Sequence, residues 1–140
     1  MRRLALPPGV MGEISMKKHI FACALIATIG TAEASSVKPL LTHDLPGLGK
    51  DGQMMTVTLA PGEVGMAHRH NANVFVYLLS GAMETQVKGG PLMTVHAGDT
   101  FYESPTDIHV VSRNASKTEP AVFIAFFVKD KGAPVTVPMK

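Results

Sequence analysis

Gly62-Glu63-Val64-Gly65-Met66-Ala67-His68-Arg69-His70 ends in two histidines one residue apart. On an extended strand side chains alternate between faces, so His68 and His70 project to one side and Arg69 to the other. Same-face neighbours lie about 7 Å apart along the backbone, so two imidazoles can lean onto one ion when a third ligand arrives from another strand. The pair is half of a metal site, and the rest of the chain must supply the other half.

On either side of this stretch run short apolar segments broken by turn residues, the pattern of a sandwich or barrel. Met54 to Ala60 ends at Pro61-Gly62, Val64 to His70 ends at Asn71-Ala72-Asn73, and Val74 to Ser80 ends at Gly81. Val74 to Ser80 is apolar at every position but two and reads as a strand buried on both faces. Met83 to Lys88, Leu92 to His96, Thr100 to Glu103, Ile108 to Ser112 and Ala121 to Val128 continue the series, with an edge strand at Val135 to Val137. No sustained helical period follows Ser35, so the expected fold class is all-β.

Upstream, Met16-Lys17-Lys18 precedes an eleven-residue uncharged run, Ile20 to Gly30, and then Ala32-Glu33-Ala34. A basic start, a short apolar segment and an Ala-x-Ala site describe a secretory signal peptide. The run is too short for a bilayer span, which needs about 20 apolar residues. The expected organisation is a leader over residues 1–34, with the signal proper at 16–34 and the true start at Met16. An N-terminal arm and loop over 35–52 and a barrel over 53–138 follow. Cleavage after Ala34 sends the mature chain to the periplasm or outside the cell.

The 140 residues are 46% hydrophobic and 17% charged, which excludes disorder. Without the leader, nine Lys and Arg face nine Asp and Glu, so no basic excess remains for nucleic acid or anionic lipid. Cys23, the one cysteine, leaves with the leader, removing disulfides and thiol catalysis. Gly47-Leu48-Gly49-Lys50-Asp51-Gly52 spells a dinucleotide fingerprint, but a proline precedes it and a strand-like run follows, so the glycines read as turns. Asn114-Ala115-Ser116 fits a glycosylation acceptor and reads as a turn as well.

Five histidines remain: His43, His68, His70, His96 and His109. His43 and His96 read as ordinary polar residues. His109 opens a strand after the Pro105 loop, where a barrel can bring it to the His68 and His70 face. Gly62, five residues, His68-x-His70, then Gly81, then sixteen residues before Gly98-Asp99, then Pro105 and His109, resembles the two-part motif of the cupin superfamily, over roughly Gly62 to Asn114. The resemblance implies an antiparallel jelly-roll β-barrel in a single domain, with His68 and His70 as ligands from the first motif and His109 from the second. The family's glutamate falls four residues after the second histidine, where this chain has Val74.

The resemblance therefore implies a small secreted protein that binds a divalent metal, Fe(II), Zn(II) or Mn(II), through three histidines. Oxidation of a small molecule in the manner of a dioxygenase is one implied activity, and isomerase or hydrolase chemistry would use the same ligands. The alternative is a non-enzymatic module with a degenerate site. Met66 on the histidine face would favour copper and is the less favoured ligand. Glu103 and Asp107 are candidate replacement carboxylates or solvated turn residues, and Tyr77, Tyr102 and Glu103 are candidate bases. Ala121 to Val128 is apolar on both faces, which makes a homodimer a further expectation.

Overall fold

The computed structural model describes residues 34–139, and every regular element within them is a strand. The proposed leader lies outside the described residues up to Glu33. The strands are β1 (Ser36–Leu45), β2 (Lys50–Leu59), β3 (His68–Arg69), β4 (Ala72–Ser80) and β5 (Ala82–Val87). After them come β6 (Met93–His96), β7 (Thr100–Glu103), β8 (Ile108–Asn114), β9 (Ala121–Asp130) and β10 (Val137–Pro138). They form two five-stranded antiparallel sheets, ordered β1-β2-β9-β4-β7 and β10-β3-β8-β5-β6, the two layers of a jelly-roll barrel.

Strand alternation and register build the inner face of the first sheet in layers. Gln53, Phe127, Val74 and Glu103 stand side by side in the first. Met55, Ala125, Val76 and Phe101 make the second, Val57, Phe123 and Leu78 the third, and Leu59 with Ala121 the fourth. All but the first are wholly apolar. Leu78 and Ala121 have no exposed surface, and they pack with Leu59, Met83 and Val95 to close that end of the barrel.

Three segments differ from the sequence reading. The arm at 35–52 is the ten-residue strand β1 joined to β2 by a turn at Gly49, whose φ is +64°. The expected strand over Val64 to His70 shrinks to His68–Arg69, with one isolated bridge from Val64 to Arg113. There Gly65 donates its N–H to the Ser112 carbonyl at 2.8 Å, and a side chain at Gly65 would come within 2.9 Å of that same oxygen. Only glycine fits this approach of the backbone to β8, and the pairing there is limited to the single Val64–Arg113 bridge. Third, β4 is buried on one face only: Val74, Val76 and Leu78 point inward, while Phe75, Tyr77 and Leu79 are exposed.

Asn114 is structural. Its amide donates to the Leu59 and Glu119 carbonyls at 3.1 and 2.8 Å, and its Oδ1 accepts from the Ser116 N–H at 2.8 Å. A buried side chain that satisfies backbone groups of two segments ties the end of β2 to the β8–β9 turn.

Candidate metal centre

Register brings the histidines together. His68 on β3 is the direct cross-strand partner of His109 on β8, and their rings stack with centroids 5.4 Å apart. His70, just past β3, places its ring 4.8 Å from His68 and 6.0 Å from His109. A register shift in the β5–β8 pairing, which sets Gln86 opposite Val111 but Val87 opposite His109, leaves Val110 as an extra residue. Such a bulge re-aims the chain, so His109 is buried and Ser112, three residues on, lines the cavity instead of the outer surface.

The fourth member comes from the other sheet. Glu103 ends β7 directly opposite Val74 of β4, and it is 6% exposed. Its Oε2 lies 3.3 Å from His70 Nε2 and 3.4 Å from His109 Nε2. A carboxyl group thus stands on the neighbouring strand at the same level of the barrel as Val74. Nothing local announces this: Glu103 precedes Ser104-Pro105 as a turn residue would. Only the pairing of strands 29 residues apart turns it inward.

Each imidazole is held through its other nitrogen. His70 Nδ1 donates to the Val135 carbonyl at 2.6 Å and His68 Nδ1 to the Met66 carbonyl at 2.9 Å, while His109 Nδ1 lies 3.3 Å from Thr85 Oγ1. A carbonyl only accepts, so in the neutral rings of His68 and His70 the proton sits on Nδ1 and Nε2 carries the lone pair. Burial lowers His70, opposed by its bond to Val135 and reinforced by the charge of His68. Burial, then the charges of His68 and His70, lower His109 to about 4. Burial, then the Asp107 charge, push Glu103 up to about 8. Within the cluster, burial thus disfavours the charged forms of His70, His109 and Glu103 alike.

Two of its atoms, Glu103 Oε2 and His109 Nε2, are buried without a hydrogen-bond partner. Orphaned buried polar atoms require an explanation. Ligand atoms bound at about 2.0–2.2 Å to one ion stand about 3.0–3.4 Å from one another, which is the spacing of this carboxyl oxygen from both imidazoles. Glu103 Oε2, His70 Nε2 and His109 Nε2 are thus donor types that a divalent cation takes, with the carboxyl oxygen at ligand spacing from both nitrogens. Among the described residues, no group of three or more histidine, cysteine or acidic side chains already has the spacing of an ion cage. Glu103, His70 and His109 form a corner, and His68 packs against it.

Other candidates fall away from this corner. Met66 is 78% exposed and contributes only its carbonyl, because the chain is not in a regular strand there. Asp107 accepts the Ser104 N–H at 2.8 Å and so closes its own turn. Tyr77 and Tyr102 stand on the outer face, where Tyr102 donates to Asn73 Oδ1 at 2.6 Å; alternation that turns Glu103 inward turns Tyr102 out. His43 and His96 are exposed and apart from the cluster.

Residues 55–127 match the Cupin domain family. The chain belongs to the cupin family. Among solved structures, this cupin is similar to the DMSP lyase DddQ of Ruegeria pomeroyi, with 16% identity and a TM-score of 0.63 over 75% of this chain and 51% of that one. It is also similar to a conserved Klebsiella pneumoniae protein with a double-stranded β-helix domain, at 16% identity and a TM-score of 0.60 over 79% and 88% of the two chains. The cupin domain of an XRE family transcriptional regulator from Enterobacter cloacae shares 25% identity, with a TM-score of 0.54 over 68% and 96%. The chain thus spans about half of the lyase's length, and these likenesses describe the fold. No curated protein matches it.

Proposed function

We propose that this cupin binds a divalent metal, Fe(II), Zn(II) or Mn(II), through His68, His70, His109 and Glu103 and uses it to act on a small molecule inside the barrel. The observation that carries the reading is the pair of buried, partnerless atoms, Glu103 Oε2 and His109 Nε2, 3.4 Å apart. Such an ion supplies Lewis acidity, or redox chemistry when it is iron. The chain's own part is to hold three imidazoles by their Nδ1 atoms, to present a carboxyl group from β7, and to exclude water with Val74, Val76 and Phe127. A dioxygenase-like oxidation is the reading of this site we favour, and lyase or isomerase chemistry would use the same residues. Elemental analysis of protein purified from its own compartment tests it: about one equivalent of metal is expected, and loss of that metal in Glu103→Val with the fold intact. Metal-free protein, or full retention in that variant, overturns it.

A second reading, a non-enzymatic module that binds its ligand without metal, is favoured by the lack of a closed ion cage among the described residues. Equal ligand affinity before and after chelation would select it. Two further proposals concern the setting. The basic, apolar and Ala-x-Ala segments upstream support export and cleavage after Ala34, so the mature N-terminus is expected at Ser35 in a periplasmic or secreted fraction. The exposed Phe75, Tyr77, Leu79 and Tyr102 on the outer face support a homodimer, which a light-scattering mass of two chains would bear out.

A further inference from the structure

We propose that the barrel cavity selects small, uncharged, apolar molecules carrying one oxygen donor at one end, a ligand class that rests on the metal-centre reading and deepens it. The cavity measures about 510 Å³, inside the range of small-molecule sites. Its polarity is graded along the strands. His68, His70 and Glu103 line the cavity at the level of the first layer, with Gln53 at the other end of the same row. Beyond them the wall is Met55, Val76, Phe101, Val57, Phe123 and Leu59, with Ser112 of β8 as a lone hydroxyl on the facing sheet. The first and third layers are four residues apart on each strand, about 13 Å, so a ligand whose head sits at the histidines buries its tail among apolar side chains.

Charge completes the argument. Among the described residues, no lysine or arginine lines the cavity. The buried Lys129 lies 3.8 Å from Asp51 and outside the lining, Arg113 pairs with Glu84, and Arg69 is exposed. A phosphate or carboxylate remote from the histidines would lose its water and gain no counter-charge. The wall thus admits length and rejects distal anions.

Calorimetric titration of the metal-free protein with the alcohols from 1-butanol to 1-octanol tests this without the metal. Affinity is expected to tighten about fourfold per methylene, and 6-hydroxyhexanoate, which adds a distal carboxylate, to bind at least about tenfold more weakly than 1-hexanol. Val57→Phe, which fills the third layer, is expected to weaken 1-octanol at least about tenfold and leave 1-butanol within about twofold. A flat or absent chain-length dependence, or 6-hydroxyhexanoate binding as well as 1-hexanol, overturns the proposal. Metal retention is measured separately: if metal binding fails and the series holds, the metal reading falls alone, and if the series fails on a protein that holds metal, only the ligand class falls.

Discussion

The inner face of the β1-β2-β9-β4-β7 sheet follows different rules at its two ends. At one end Leu78 and Ala121 are fully buried among the apolar side chains of Leu59, Met83 and Val95, and the buried amide of Asn114 beside them is fully bonded. At the other, Val74 and Phe127 are as well buried but adjoin a carboxyl oxygen and an imidazole nitrogen that have no partner. The strands are the same and the burial is comparable, so what differs is whether polar groups are satisfied. Closely packed apolar side chains give stability, whereas desolvated, unpaired polar atoms cost stability and are retained where a site needs them.

The sharpest test of that contrast removes the packed end. Leu78→Ala should cost about 2–5 kcal/mol in urea unfolding, because a large void opens where no side chain can collapse inward, while metal bound per folded molecule stays unchanged. A cost below about 1 kcal/mol would mean that the closed end is not tightly packed.

At the polar end the register itself can be tested. Glu103→Val should weaken metal binding more than about a hundredfold, beyond the usual effect of losing a supporting contact. Val74 stands directly opposite in the β4–β7 pair, so adding Val74→Glu to that variant should recover most of the affinity. Failure of the double variant to recover, with the fold intact, would mean that positions 74 and 103 do not address the same ion. Thr85→Val removes the hydroxyl beside His109 Nδ1 and keeps the shape, so metal affinity should fall about tenfold through the orientation of that ring. An unchanged affinity would leave Thr85 as core alone.

The strand series and the His68 and His70 pair were visible in the sequence because both depend on local periodicity: turn residues mark strand ends, and a His-x-His pair needs only alternation, whereas His109 was visible through its place after the Pro105 loop and the cupin motif. Glu103 was visible as a candidate and nothing more, since its direction is fixed by a long-range register with β4. The bulge at Val110, which sets His109 and Ser112 where they are, has no local mark either. Val74 to Ser80 misled for a related reason. Its apolar outer residues, Phe75, Tyr77 and Leu79, look like a second buried face until the sheet order shows nothing covering them among the described residues.

The smallest expected effect separates stability from function at a single atom. Glu103→Gln keeps the shape of the side chain and removes an ionisable group from a dry site. Its amide can donate to His70 Nε2, the lone-pair nitrogen left when Nδ1 donates to Val135. A buried acceptor without a partner costs about 1–3 kcal/mol, and the substitution relieves part of that. The metal-free variant should therefore be more stable than the parent by about 1 kcal/mol, a rise of about 4–8 °C in Tm for a domain of this size. The same change exchanges an anionic donor for a neutral one, so metal affinity should fall as stability rises. A variant less stable than the parent in the absence of metal would show that the carboxyl group is already satisfied there, and the contrast between the two ends of the barrel would disappear.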